Sequence, residues 1–164
     1  MIVLHHLNNS RSQRILWFLE ELGLEYEVKR YQRDARTMLA PPELRAVHPL
    51  GKSPVVTDGD LVLAESGAIL EYLVGRYGEG RFIPAAGTPE RLRYTFWLHY
   101  AEGSAMPPLL LALVFHRIET APMPPRRSHR GHAPAALCVV EAHPRAPGLQ
   151  RALVKGGPYD YVTD

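Results

Sequence analysis

Cysteine is nearly absent: Cys138 is the single one in 164 residues. An intramolecular disulfide is therefore excluded, and the chain fits a reducing compartment. No apolar run approaches the ~20 residues that span a bilayer. The opening "MIVLHHLNNS" lacks the basic, apolar and cleavage regions of a secretory signal, so a cytoplasmic location with no membrane partner is expected. Internal repeats are missing, as are GxGxxG and GxxxxGK[ST], so nucleotide binding is not expected. Charge is also scarce in net terms, at +2. Residues 1–121 hold 13 Lys/Arg against 14 Asp/Glu, and residues 122–164 hold 6 against 3, so the basic balance belongs to the tail. That tail has no aromatic residues interleaved with its basic residues, and no nucleic-acid partner is expected.

The hydrophobic fraction of 46% and charged fraction of 22% are those of a globular protein. "IVLHHL" (Ile2–Leu7) reads as a buried strand. A helix follows, with Ile15, Phe18, Leu19 and Leu22 on one face and Gly23 as its stop. "YEVKRY" (Tyr26–Tyr31) reads as a second strand, completing a βαβ unit with a right-handed crossover. Residues 32–48 suggest a loop with at most a short helix. "SPVVTDGDLVLAES" reads as a hairpin about Asp58-Gly59, for which a type I′ turn is expected. Ser66 then opens a helix carrying Ile69, Leu70, Leu73 and Tyr77, ended by Gly78. The order β-α-β, loop, β-β-α implies a four-stranded mixed sheet covered by helices.

"GEGRFIPAAGTPE" is a linker and domain boundary, after which Thr88 with Pro89 at N1 starts a helix. "MPPLLLALVFHRI" reads as a second helix or a kinked extension of the first. Both are apolar enough to need a partner surface. Beyond Met123 the pattern fails, with prolines at 124, 125, 134, 144, 147 and 158. His129, His132, Cys138 and His143 are zinc-competent types, but their spacing matches no standard site, and no metal is expected.

Three blocks, "NNSRSQRILW", "HPLGKSPVV" and "AESGAILEYL", resemble the N-terminal domain of cytosolic-type glutathione transferases, in the branch with a Ser-Arg-x-x-Arg first helix. The match is specific over residues 1–80 and looser to about 120. The resemblance implies an α/β thioredoxin-like domain (βαβ-α-ββα) at 1–80, a linker at 81–88 and an incomplete all-helical domain at 89–121. Residues 122–164 are then an irregular Pro/Arg/His-rich tail, with the composition of a frameshifted reading of a G+C-rich gene. It implies a glutathione transferase that joins the glutathione thiolate to a hydrophobic electrophile, usually as a homodimer. Glutathione is its co-substrate, and no cofactor is required. A glutathione-dependent disulfide reductase and a non-catalytic glutathione-binding module are the alternatives.

The same resemblance carries residue roles. Ser53 precedes the family's cis-proline, here Pro54, and pairs with the cysteinyl backbone of glutathione. A trans Pro54 opening an edge strand is the plain alternative. Glu65 and Ser66 grip the γ-glutamyl end, although Ser66 also reads as an ordinary N-cap. Lys52 meets the glycyl carboxylate or is simply a solvated lysine. Ser10 donates to sulfur, with Asn9 close behind and His6 third. Ser10-x-x-Gln13 also fits a capping box, so capping alone accounts for the serine. Tyr94, Trp97, Tyr100 and Met106 either line an electrophile pocket or pack a core.

Overall fold

The computed structural model describes residues 1–117, 151 and 154–156. The zinc-competent quartet therefore lies outside the described residues. So does the tail, except for Arg151 and residues 154–156, which are helical. The chain divides into one unit of residues 1–82 with 145–164 and a second of residues 83–144.

In the first unit, β1 (Ile2–Leu7), α1 (Ser12–Leu22), β2 (Tyr26–Tyr31), α2 (Pro42–Val47), β3 (Val55–Asp58), β4 (Leu61–Ala64) and α3 (Ser66–Tyr77) follow in order. The sheet order is β2-β1-β3-β4. β1 runs parallel to β2, with Ile2 opposite Tyr26, and antiparallel to β3, with Leu4 opposite Val56. The expected four-stranded mixed sheet is formed. As an inner strand, β1 is buried on both faces, which explains its lack of polar alternation.

Ile2 and Leu4 pack with Ile15, Leu16, Leu19 and Leu22 of α1, Val56 of β3, and Ile69 and Leu73 of α3. On the opposite face, Leu7 and Tyr31 enclose Leu44 of α2. α1 stops where expected: Gly23 sits at φ +71° and its N–H bonds to the Glu20 and Leu19 carbonyls.

Three local expectations need correction. The hairpin turn is centred on Gly59-Asp60, because Asp58 is still paired, opposite Leu61. Gly59 takes φ +58° while Asp60 keeps a negative φ, which is the type II′ pattern. The capping box does not form: Arg11 is the N-cap of α1, and the Gln13 amide has no partner among the described residues. Glu65, at φ +71° and ψ 124°, is the N-cap of α3, which makes Ser66 its first helical residue.

In the second unit, α4 (Pro89–Tyr100) starts as expected, with Thr88 Oγ1 accepting from the Arg91 N–H. A π-helical turn at Ala101–Ala105 joins it to α5 (Met106–Arg117). The reason is Pro107-Pro108: prolines donate no N–H and crowd the carbonyls four residues back, so the chain takes a wider turn.

Candidate functional site

The turn from β1 into α1 brings side chains of three elements together at the mouth of the sheet. Ser53 leads into β3 through a cis peptide bond to Pro54. Its Oγ donates to the His5 carbonyl at 2.8 Å and accepts from the Leu7 N–H at 3.3 Å. Ser10 Oγ donates to Ser53 Oγ at 3.3 Å, is 2.7 Å from Ser12 Oγ, and accepts from the Ser12 N–H at 3.3 Å. Ser12 Oγ in turn lies 2.8 Å from His6 Nδ1. All five residues (His5, His6, Ser10, Ser12 and Ser53) are buried. Ser10 Oγ accepts from the N–H of Ser12, two residues on, and Arg11 takes the N-cap position of α1.

Alternation along β1 sends the two histidines to opposite faces. His6 faces α1 through Ser12, whereas His5 Nδ1 meets Tyr31 Oη at 2.8 Å on the α2 side. Burial lowers the pKa of both. Lys29 adds to the effect at His5. At His6 a backbone hydrogen bond at Gly156 opposes burial, and Arg30 adds to it.

Asn9 stands beside this chain in the left-handed region, at φ +51°. Its segment is held by Arg33, whose guanidinium donates to the carbonyls of Asn8 (3.0 Å), Met38 (2.9 Å) and Asn9 (3.5 Å). The Arg33 N–H also donates to Asn8 Oδ1 at 2.8 Å. Across the sheet, exposed Glu65 and buried Ser66 form the head of α3. A positive φ outside the left-handed helical well costs a non-glycine residue about 1–3 kcal/mol, and such strain concentrates at working sites. Lys52 is exposed one residue before Ser53.

Of the expected site residues, the structure joins His6, Ser10 and Ser53 in one hydrogen-bonded chain. Tyr94, Trp97 and Tyr100 belong to the second unit and are described there alone. The Trp97 and Tyr100 rings are 5.3 Å apart, Arg91 lies over Tyr94, and no residue of α4 is buried. Sequence reasoning missed Ser12 and Arg33. Ser12 had one signal, its place as a second hydroxyl two residues after Ser10. Arg33 had none. Among the described residues no group of three His, Cys, Asp or Glu side chains gathers as a metal site, and no helix is long and apolar enough to cross a membrane.

A family model for the glutathione S-transferase N-terminal domain matches residues 1–75. Glutathione S-transferase 3 of Schizosaccharomyces pombe is 50% identical over 108 residues, which cover 65% of this chain and 43% of that protein. Glutathione S-transferase 1 of Saccharomyces cerevisiae is 36% identical over 130 residues, covering 76% and 55% respectively. A crystal structure of a glutathione S-transferase from Actinobacillus pleuropneumoniae is 50% identical with a TM-score of 0.66, covering 74% of this chain and 56% of that one. The chain spans about half the length of the curated relatives it matches.

Proposed function

We propose that the chain is a glutathione S-transferase, as the N-terminal-domain model matching residues 1–75 supports, and that it binds glutathione and transfers its sulfur to a hydrophobic electrophile. The observation that carries the reading is the 3.3 Å bond from Ser10 to Ser53, which sets a hydroxyl donor at the head of α1 beside the entry to β3. In this reading the cysteinyl backbone of glutathione lies along Ser53 and Pro54. Its γ-glutamyl ammonium faces Glu65, its γ-glutamyl carboxylate meets Ser66 and the first N–H groups of α3, and its glycyl carboxylate meets Lys52.

The chemistry then turns on one proton. A cysteine-like thiol has a pKa of ~8.5, so at neutral pH only a few per cent is ionised. Ser10 Oγ–H turned onto sulfur stabilises the thiolate, and a hydrogen bond to a charged group contributes ~1.5–3 kcal/mol, or one to two pKa units. Asn9 is the second donor at the same turn. The thiol proton leaves to solvent. The thiolate lone pair then forms the carbon–sulfur bond as the electrophile's leaving group departs or its π bond takes up the electrons. The reading also carries a homodimer in the cytoplasm, and exposed Leu92, Phe96 and Trp97 on α4 support a partner surface.

Calorimetry of the intact chain with glutathione, followed by conjugation to an aryl halide, tests the proposal. Saturable heat and turnover are expected. Heat without turnover leaves only a binding module, and turnover restricted to disulfides makes it a reductase. Absence of heat refutes the reading altogether.

A further inference from the structure

The turn that carries Ser10 is braced from the far end of β2. A guanidinium only donates, so each contact of the Arg33 side chain has a fixed direction. Its Nη1 donates to the Met38 carbonyl at 2.9 Å. That carbonyl has a set place because residues 34–39 close on themselves. The Asp34 N–H donates to the Leu39 carbonyl at 3.0 Å, and the Met38 N–H donates to the Asp34 carbonyl at 2.8 Å. Asp34 Oδ1 accepts from the Arg36 and Thr37 N–H groups and from the Thr37 hydroxyl. Anchored there, the guanidinium aims Nε at the Asn8 carbonyl, 3.0 Å away, and Nη2 at the Asn9 carbonyl, the longest of the three contacts at 3.5 Å. Asn8 is held twice more. Its N–H donates to the Tyr31 carbonyl at 3.2 Å, and its Oδ1 accepts from the Arg33 N–H at 2.8 Å. The two carbonyls on the guanidinium belong to the peptide planes on either side of Asn9, which is left-handed at φ +51°. A non-glycine residue stays in that region only where its surroundings hold it. Each plane is rigid, so fixing both carbonyls fixes the bend at Asn9 and the plane that leads into Ser10.

We propose that Arg33 is a positioning residue of the thiol site: by holding the two peptide planes that flank Asn9, it fixes where Ser10 stands and so where its hydroxyl meets sulfur. This rests on the reading of Ser10 as the sulfur's donor. Arg33 acts through the main chain of the turn. Lys52, Ser53, Glu65 and Ser66, read as gripping the tripeptide, lie on other segments, before β3 and at the head of α3. Loss of the brace therefore displaces the donor and leaves the grip. The positive charge of Arg33 also favours a thiolate at a distance, and lysine separates the two effects. Lysine keeps the charge but gathers its donors on one nitrogen, which cannot span the carbonyls of Asn8, Asn9 and Met38 as the planar fork does.

The test reads two properties of the full chain. One is the pKa of bound glutathione, from the ultraviolet absorbance of its thiolate against pH. The other is the affinity for S-methylglutathione, which has no thiol to ionise, from calorimetry. Arg33→Lys is expected to raise the pKa by about 0.5–1 unit, roughly half of what the Ser10 bond supplies, or about three- to tenfold less thiolate below it. It should leave the S-methylglutathione affinity unchanged. Arg33→Gln should raise the pKa at least as far; if that variant does not fold, Arg33→Lys decides the matter by itself. Added to Ser10→Ala, Arg33→Lys should shift the pKa no further, because the donor it places is gone. A pKa unmoved by Arg33→Lys assigns any effect of Arg33→Gln to charge alone and overturns the inference. So does an S-methylglutathione affinity that falls in step with the thiolate, the mark of a loosened fold. An equal shift with and without the Ser10 hydroxyl overturns it too. Ser10→Ala separates the two levels: if it raises the pKa while Arg33→Lys does not, only this inference falls. If Ser10→Ala changes nothing, both fall.

Discussion

Replacing Asp58 by Asn tests how the hairpin is fastened to the helix that carries Ser66. Asp58 ends β3, and its Oδ2 accepts from Tyr72 Oη at 2.9 Å and from the Tyr77 hydroxyl, both on α3. The N-terminal amine lies 3.6 Å from Oδ1, on a residue whose side chain is 71% exposed, and contributes little. The Tyr77 hydrogen bond holds the Asp58 carboxyl below the usual range against the opposing effect of burial, with help from Tyr72 and the N-terminus. Burial, then Asp58 itself, pushes Tyr72 up to about 12.

A depressed folded-state pKa means stability that is present above the unfolded value of ~3.9 and lost as pH falls through the folded value. Asn keeps an acceptor oxygen but loses the charge. Each bond then drops from the charge-assisted range of ~1.5–3 kcal/mol toward the neutral range of ~0.5–1.5, a net loss of about 1–2 kcal/mol at pH 7. Thermal melts followed by circular dichroism should show Asp58→Asn about 3–6 °C lower at pH 7. The gap should narrow by pH ~3 and vanish below the folded pKa, where both side chains are neutral. An equal gap at both pH values, or none at neutral pH, refutes the reasoning.

Leu16 is fully buried between sheet and helices, so Leu16→Ala should cost about 2–5 kcal/mol in urea unfolding. Gly23 at φ +71° has open space where a Cβ would sit, so Gly23→Ala should cost only the backbone term, about 1 kcal/mol by the same measurement. His5 and His6 are both lowered by burial, which means stability present above the unfolded pKa of ~6.5 and lost as pH falls through the folded values. Urea midpoints should decline on acidification below that value, and His5→Gln should reduce the slope. An unchanged slope contradicts the assignment.

The frame of the first unit was legible because its signals are local. Ile15, Leu19 and Leu22 repeat at helical spacing, Gly23 ends their helix, and β1 reads as a buried inner strand from its apolar run. What was illegible depended on distant partners. The Asp58-Gly59 pair predicts one turn register, yet Tyr72 and Tyr77 draw the Asp58 carboxylate to α3, and the strand keeps the residue in its ladder. Ser10 and Gln13 have capping-box spacing, yet Ser10 Oγ accepts from Ser12 and donates to Ser53, forty-three residues on. Ser12 gains meaning only where α1 crosses β1 and sets its hydroxyl against His6. The aromatic residues of α4 could be read as core or pocket, and the helix itself buries none of them.

The central claim is that Ser10 lends its proton to a sulfur at the head of α1. Spectroscopic titration of glutathione bound to the intact chain and to its Ser10→Ala variant measures that directly. The expected result is a bound thiol with a pKa at least about one unit below the free value of ~8.5, rising by one to two units when the hydroxyl is removed. A bound thiol that titrates like free glutathione, or one indifferent to Ser10→Ala, would contradict it.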